Sequence, residues 1–228
     1  MSFTSKDKKN VIDRYKKRLK EYGYSPKSLG WDKGKQDIRF DILTSRYDFN
    51  NKHVLDIGCG FGDLNRILKT KAANYQYTGI DIVDELLVEG KKQYQDKNLE
   101  FINSNILNFV SDNLFDYAIS SGMFNFKLDD GKNYEFIESV IKKTLDLCND
   151  GLAFDFLSDK VDYEYEETFH SSPEKILSIA YKYSRNILFR NDYMPFEFSL
   201  FIFKNDLFDK KDTIFKRYKN LKNKFDFI

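Results

Sequence analysis

The hydrophobic positions of the chain change their spacing several times, and each change marks a predicted element. Residues 54–57 form a short apolar run that ends in a glycine-rich turn, and from residue 64 onward the apolar positions recur with helical spacing. Further predicted strands cover residues 75–82, 99–106, 115–122 and 152–157, and further predicted helices cover residues 84–94, 134–148 and 173–183. This alternation of strands and helices indicates an α/β protein with a mostly parallel sheet.

The start of the chain predicts a helical cap. Val11, Tyr15 and Leu19 fall on one helical face that is flanked by Lys and Arg, and a second helical pattern passes through Phe40. No Pro-rich, Gly-rich or Ser-rich linker divides the chain, and 228 residues suit one large α/β domain. We therefore expect a single domain that begins with an N-terminal helical cap over residues 1–51.

The end of the chain predicts a hairpin followed by a helix. Residues 185–190 and 196–204 have the pattern of two hairpin strands, which would complete a core of residues 52–204. Residues 205–228 then predict a Lys-rich C-terminal helical tail that packs on the body of the domain. The apolar stripe of this predicted helix consists of Ile214, Phe215, Tyr218 and Leu221.

The glycine-rich turn after residue 57 is the strongest functional signal. In an open α/β sheet, such a turn lies at the carboxyl edge of the first strand, where ligands press against bare backbone. A dinucleotide site would require Gly-x-Gly-x-x-Gly, but Asp63 stands where the third glycine belongs. Asp56, two residues before the first glycine, would add negative charge beside a diphosphate. An acid at this position suits S-adenosylmethionine, which carries a sulfonium, an ammonium and no phosphate.

The spacing Asp56-x-Gly58-x-Gly60-x-Gly62 closely resembles the first motif of the class I S-adenosylmethionine-dependent methyltransferases. The chain is similar to small uncharacterised members that are associated with polysaccharide or specialised metabolism. The resemblance implies a Rossmann-like, seven-stranded, mostly parallel sheet with a terminal antiparallel hairpin and helices on both faces. It also implies S-adenosylmethionine as the cofactor.

The same resemblance assigns cofactor contacts to the ends of successive strands. Asp81 ends the second predicted strand, where a carboxylate can accept both ribose hydroxyls. Asn105 and Ile106 stand where the family usually has an acid and an apolar residue around the adenine, and the Asn side-chain carbonyl can still accept from the exocyclic amine. The predicted cofactor-binding residues are Asp56, Gly58, Cys59, Gly60, Asp81, Ile82, Asn105, Ile106, Ser121 and Gly122.

Acceptor contacts are predicted after the fourth and fifth strands and in the cap. The only Trp of the chain lies near Gln36 and Arg39, and the polar, acidic segment 158–172 is predicted to be a lid or connection. His170 in that segment is the candidate general base, because an imidazole that titrates near neutrality suits proton removal from a hydroxyl. The predicted substrate residues are Trp31, Met123, Asn125, Tyr193 and Glu197, of which Tyr193 and Glu197 would orient the base or the acceptor.

Composition narrows the possible partners. Lys and Arg number 37 against 36 Asp and Glu, so the net charge of +1 gives no broad attraction to nucleic acid or to an anionic membrane. With only two Cys and two His, the sequence indicates no metal site and no catalytic thiol. The start of the chain lacks an apolar signal core and no span reaches membrane length, so we expect a soluble, cytoplasmic protein.

The absence of two motifs limits the classes of methyl transfer that the sequence favours. Amino-base methylation of nucleic acid would favour Asp or Asn-Pro-Pro-aromatic after the fourth strand, but residues 121–125 read Ser-Gly-Met-Phe-Asn, and no Pro-Cys pair is present for carbon-5 pyrimidine methylation. The favoured reaction is methyl transfer to oxygen or nitrogen of a small polar acceptor, with sugar-like molecules among the candidates. A protein or RNA methyltransferase and a noncatalytic S-adenosylmethionine-binding module remain as alternatives.

Overall fold

A computed structural model describes residues 4–31 and 34–221. It contains seven α-helices among the described residues: α1 (Ser5–Tyr22), α2 (Gln36–Thr44), α3 (Leu64–Lys71), α4 (Asp84–Gln93), α5 (Asn133–Leu147), α6 (Pro173–Ala180) and α7 (Lys216–Leu221). The strands are β1 (Lys52–Ile57), β2 (Tyr75–Asp81), β3 (Leu99–Asn103), β4 (Phe115–Ser120), β5 (Cys148–Leu157), β6 (Ile187–Arg190), β7 (Glu197–Phe203), β8 (Phe208–Asp209) and β9 (Ile214–Phe215). Short 3-10 helices cover Pro26–Leu29, Ile106–Asn108 and Met123–Asn125.

Seven of these strands form one sheet in the order β3-β2-β1-β4-β5-β7-β6. Strands β1 to β5 are parallel to one another, whereas β7 lies antiparallel between β5 and β6. This confirms the predicted Rossmann-like fold with its terminal hairpin. The carboxyl ends of the five parallel strands meet at one edge of the sheet, which is the edge that positions a ligand site in such folds.

Both faces of the sheet are covered, which explains why the central strands are almost continuously apolar. Leu55 and Ile57 point into a cluster that includes α5 and α6, whereas Val54 points into a second cluster that includes α2 and α3. Side chains alternate between the two faces along a strand, so one short run of residues feeds both cores.

The N-terminal cap packs on the edge of the sheet near the glycine turn. The side chain of Thr4 caps α1 by accepting from the Asp7 amide, and the apolar face of α1 packs against a small cluster around Phe61. Tyr24 follows α1, and its ring contacts Phe61 edge-on with centroids 5.0 Å apart. The predicted amphipathic face of the first helix therefore covers the turn itself.

The prediction for the C-terminal tail is wrong in part. Ile214 and Phe215 form the short strand β9, which pairs with β8, and α7 begins only at Lys216. Thr213 turns the chain with a φ of 55°, and Phe215 then lies opposite Phe208, a cross-strand aromatic pairing that a helix would not give. Residues 222–228 of the predicted tail lie outside the described residues.

Smaller differences appear at the ends of elements. The predicted strand 99–106 ends at Asn103, because Asn105 caps a 3-10 helix by accepting from the Leu107 amide at 3.0 Å. Among the helices of residues 4–31 and 34–221, none combines the length and the apolar character needed to cross a membrane.

Candidate active site

A cavity of about 580 Å³ opens at the carboxyl edge of the sheet. Its floor comes from the ends of β1, β2 and β4, and its walls come from the N-terminal cap, from the segment 158–172 and from residues 194–197 before β7. The volume lies within the range of small-molecule and cofactor sites.

The glycine turn forms the floor next to β1. Gly58, Gly60 and Gly62 have φ values of 69°, 55° and 80°, a region that other residues rarely adopt. A Cβ at Gly62 would lie 2.5 Å from a ring atom of Phe101, so this glycine lets the turn pack on the sheet. A Cβ at Gly60 would lie 2.9 Å from a methyl group of Leu29 in the cap. The alternate glycines therefore allow both the backbone course and the close covering of the turn.

Asp81 ties the tip of β2 to this turn. Its two carboxylate oxygens accept from the Gly60 amide and the Val83 amide, each at 2.9 Å. Burial raises the pKa of Asp81, and these backbone amides oppose that rise. A carboxylate oxygen has a second lone pair, so the side chain on the cavity wall can also accept from hydroxyl groups of a ligand.

Asp56 lies at the tip of β1, beneath the turn. The Tyr77 hydroxyl donates to its Oδ2 at 2.8 Å, and burial raises the pKa of Asp56 to about 7. Near neutral pH a positively charged ligand close to this group would favour the ionised carboxylate. The electrostatics of the floor therefore suit a cation better than a phosphate.

Asp63 has a role that the sequence did not predict. Its Oδ1 accepts from the Tyr24 hydroxyl at 2.8 Å and from the Tyr94 hydroxyl at 2.7 Å. These bonds join the cap, the turn and α4, so Asp63 fastens the covering segment where a dinucleotide motif would have its third glycine.

Asp155 at the tip of β5 is a site residue that sequence reasoning missed. Ser121 Oγ donates to its Oδ2 at 2.5 Å, and the Gly122 amide donates to its Oδ1 at 2.6 Å. Burial raises the pKa of Asp155 to about 6, and nearby Arg39 opposes the rise. The sequence does contain a signal for this role, because Asp155 is the only charged residue in the apolar run 152–157.

The wall beyond β4 joins the cap to β7. Arg39 donates through Nε to Glu197 Oε2 at 2.6 Å and through Nη2 to the other carboxylate oxygen. The guanidinium carbon of Arg39 lies 4.2 Å from the ring centroid of Trp31. A Cβ at Gly122 would lie 2.7 Å from the Trp31 ring, so this glycine lets the indole lie on the backbone after β4. The sequence placed Arg39 near Trp31 but did not reveal its pairing with Glu197.

Comparison with known proteins shows similarity to methyltransferases. Residues 54–144 match the model of a methyltransferase domain family. The chain is 27% identical to a Mycobacterium tuberculosis protein named as a methyltransferase, over 65% of this chain and 91% of that one. It is 26% identical to a tRNA (guanine-N(7)-)-methyltransferase of Mycoplasma capricolum, over 58% of this chain and 83% of that one. Residues 54–144 therefore form a methyltransferase domain.

A solved structure gives the same fold with the cofactor in place. The magnesium protoporphyrin IX methyltransferase of Synechocystis, crystallised with S-adenosylmethionine, superposes with a TM-score of 0.64 at 15% identity, over 90% of this chain and all of that chain. The glycine turn, Asp81 and Asp56 of the present chain provide groups that fit this cofactor.

The structure brings most of the predicted site residues to the one cavity. The predicted residues that line it are Asp56, Gly58, Cys59, Gly60, Asp81, Ile82, Asn105, Ile106, Ser121, Gly122, Trp31, Met123, Asn125 and Glu197. The cap adds Tyr15, which the sequence places on the apolar face of the first helix, and Leu29, which the sequence does not single out. The signal for Tyr15 is the apolar face of the first helix, which predicts the helical cap.

Two predicted residues of the methyltransferase are not among those that line the cavity. His170 is committed to the segment 158–172, where Nδ1 lies 2.7 Å from the Ser158 carbonyl oxygen and Nε2 lies 3.1 Å from Thr168 Oγ1. Tyr193 lies behind the wall, with its hydroxyl 2.7 Å from Ser199 Oγ. Both ring nitrogens bond within their own segment, and the assignment of His170 as the general base stays a prediction.

Proposed function

We propose that the enzyme transfers a methyl group to oxygen or nitrogen of a small polar acceptor that is enclosed in the cavity, with sugar-like molecules among the candidates. The observation that carries this proposal is the closure of the acceptor side. Trp31 lies on one wall, Tyr165 and Thr168 of the segment 158–172 line another, and residues 194–197 complete it. A macromolecular acceptor would require a more open surface, whereas these walls suit a small molecule.

We assign roles to the floor residues on the same basis. Asp81 accepts from the ribose hydroxyls, Asn105 and Ile106 hold the adenine, and Asp56 faces the positive charge. S-adenosylmethionine, when bound, supplies a methyl group that is already activated for in-line displacement. The chain then has to align the acceptor, exclude water and hold the turn after β4 in place. Asp155 contributes to this last task because it fixes Ser121 and Gly122.

The experiment supplies S-adenosylmethionine that carries a deuterated methyl group, together with a metabolite extract, an RNA fraction and a protein fraction. We expect label in a small molecule that gains one deuterated methyl group, detected by mass spectrometry. The Asp81→Ala variant should lose the label, and Asp112→Asn at an exposed loop position is the matched control. Label confined to the RNA or the protein fraction would contradict the proposal.

RNA is the second candidate acceptor, because one relative is named as a tRNA methyltransferase and because α1 is locally basic. This helix contains eight Lys or Arg against three Asp or Glu, although the whole chain is almost neutral. If RNA is the acceptor, its binding should weaken with salt and should weaken further when Lys8, Lys9, Lys17 and Lys20 are replaced by Gln. Filter binding at two salt concentrations measures both effects.

A further inference from the structure

The acceptor half of the cavity is walled by rings and hydrocarbon. We propose that the methylated atom is an amine nitrogen and that this amine is attached to a flat, apolar body. The inference rests on the proposed function and narrows it to one class of acceptor. Four independent features of the described residues support it: the wall, the lack of a free base, an unpartnered amide oxygen and the charge of the rim.

The wall disfavours a densely hydroxylated body, although Gln36, Asn133 and Thr168 also line the cavity. Apolar and aromatic side chains from the cap, the segment after β4, helix α5 and the loop before β7 surround this half of the cavity, namely Trp31, Phe40, Met123, Phe124, Phe126, Phe136, Leu157, Met194 and Phe196. Hydroxyl groups facing such a wall would lose water without gaining hydrogen-bond partners. A planar hydrocarbon or heteroaromatic body would instead gain from burial against the rings.

The acidic and imidazole groups near this wall already have hydrogen-bond or ion-pair partners. Glu197 binds Arg39 through both carboxylate oxygens, and Asp155 accepts from Ser121 and Gly122. A hydroxyl acceptor loses its proton as the new bond forms and therefore needs a base. A neutral amine has an available lone pair and needs only to be positioned, so the lack of a free base among these groups favours nitrogen over hydroxyl oxygen.

A carboxylate acceptor would also need no base. Asn125 favours an amine acceptor over a carboxylate. Its Oδ1 is buried and has no hydrogen-bond partner among the described residues, although the residue lines the cavity. An unpartnered buried amide oxygen is unfavourable, and a small rotation that meets an N–H donor of a bound ligand would satisfy it. An amine supplies such a donor, and a carboxylate does not.

The segment 158–172, of which Tyr165 and Thr168 line the cavity, has a charge that favours an organic cation. The segment 158–172 contains five acids, Asp159, Asp162, Glu164, Glu166 and Glu167, against a single Lys160. Tyr165 and Phe196 line the cavity and are 65% and 37% exposed. The Tyr163 ring contacts both, with centroids 5.4 Å from Tyr165 and 6.5 Å from Phe196. Acids combined with ring faces attract a protonated amine on its way in.

The cap side adds positive groups to the lining, and they do not reverse this preference. Arg14 lies 3.9 Å from Glu167, and Arg39 is neutralised by Glu197. Arg18 donates to the Lys27 carbonyl oxygen, and Lys35 is exposed to solvent.

The chemical step balances without an added reagent. The amine reaches the wall after it has lost its proton to water, and its lone pair forms the nitrogen–carbon bond while the carbon–sulfur bond breaks. The bonding pair stays on sulfur, and the resulting ammonium product keeps the charge or releases a proton to water.

The test uses a panel of arylalkyl amines, each matched to the alcohol and the carboxylic acid of the same skeleton, together with simple amino sugars and monosaccharides. Calorimetry in the presence of S-adenosylhomocysteine measures their binding to the full chain, and mass spectrometry measures methylation. We expect the amines to bind at least about tenfold more tightly than their matched alcohols and acids, and to be the members that are methylated.

Variants test the wall and the rim separately. Asn125→Ala should weaken amine binding by about tenfold and Asn125→Asp should retain it, whereas the matched control Asn113→Ala, at an exposed loop position, should not change it. The double variant Asp162→Asn with Glu164→Gln should weaken amine binding severalfold at low salt only.

Tighter binding of the alcohols, acids or sugars would overturn the inference, as would a panel in which no amine binds. The experiment distinguishes a failure of the amine inference from a failure of the proposed function. If S-adenosylhomocysteine binds and a small molecule from the extract is methylated on oxygen, the amine inference fails while the proposed function stands. If label enters only RNA or protein, both fail.

Discussion

The two halves of the cavity are built in different ways. The half that we propose for the cofactor consists of one continuous turn and the tip of the neighbouring strand, joined by bonds between Asp81 and the backbone of Gly60 and Val83. The acceptor half is assembled from distant segments, and its central ion pair joins Arg39 to Glu197 across 158 positions of the chain. The cofactor half is therefore a local structure that a motif can encode, whereas the acceptor half exists only when the whole domain has folded.

The largest expected effect is at the ion pair between Arg39 and Glu197. Arg39→Ala should lower the free energy of unfolding by about 3 to 5 kcal/mol, because it leaves the Glu197 carboxylate buried without its partner. The two side chains are only 9% and 12% exposed, so little water can replace the lost contact. Urea denaturation measures the change.

The control for this prediction removes both charges. The double variant Arg39→Met with Glu197→Met should recover most of the lost stability, because no uncompensated charge remains. If Arg39→Ala lowers stability by less than about 1 kcal/mol, the pair behaves as an exposed one and the acceptor wall is not held as described.

The second prediction is that substitutions in the two halves of the cavity affect different ligands. Asp81→Ala should weaken the binding of S-adenosylmethionine on the order of ten to a hundredfold, using about 1.5 to 3 kcal/mol for hydrogen bonds to a charged group. Trp31→Ala, on the acceptor wall, should leave that affinity nearly unchanged while it raises the KM for the acceptor. Calorimetry and steady-state kinetics measure the two effects, and equal losses of cofactor affinity in both variants would show that the halves are not separate.

The third prediction concerns the charge on the floor. The pKa of Asp56 in the folded chain, about 7, lies above its ordinary value of 3.8, so between these values the folded state holds a proton that the unfolded chain has lost. The contribution of this group to stability is therefore full below about pH 4, decreases by at most about 1.4 kcal/mol per pH unit as the pH rises, and levels off above pH 7.

The control for the pH prediction is Asp56→Asn, which keeps an oxygen for the Tyr77 hydroxyl and does not titrate. Unfolding curves at several pH values should diverge between the two proteins only within this window. Binding of cationic S-adenosylmethionine to the natural chain should strengthen over the same window, because ionised Asp56 attracts it. Parallel stability profiles would show that Asp56 ionises normally.

The smallest expected effect is at His170. His170→Ala should change turnover by less than about twofold, because the ring bonds within its loop and does not line the cavity. The loss of those local bonds should lower stability by about 1 kcal/mol. A drop in turnover of 100-fold or more, with unchanged affinity for the cofactor, would restore the imidazole as a base and would favour a hydroxyl acceptor.

The sequence by itself determined the fold class and the kind of cofactor. An apolar run, alternate glycines and a following acid are local features, and the backbone there can adopt only a strand, a tight turn and a helix. The order of the strands was also within reach of the sequence, because the resemblance carried by these motifs implies a known topology. The tail was predicted less well, since a few apolar residues such as Ile214 and Phe215 suit a short strand as readily as a helix.

Only the tertiary structure decided the acceptor side. It showed that Asp155 holds the turn after β4, that Arg39 pairs with Glu197, that Asp63 fastens the cap, and that His170 does not line the cavity. Each of these facts depends on which side chains meet across the ends of different elements. Such contacts are fixed by the packing of helices against the sheet and by the burial of charged groups that must find partners. Neither of these produces a periodic pattern in the sequence.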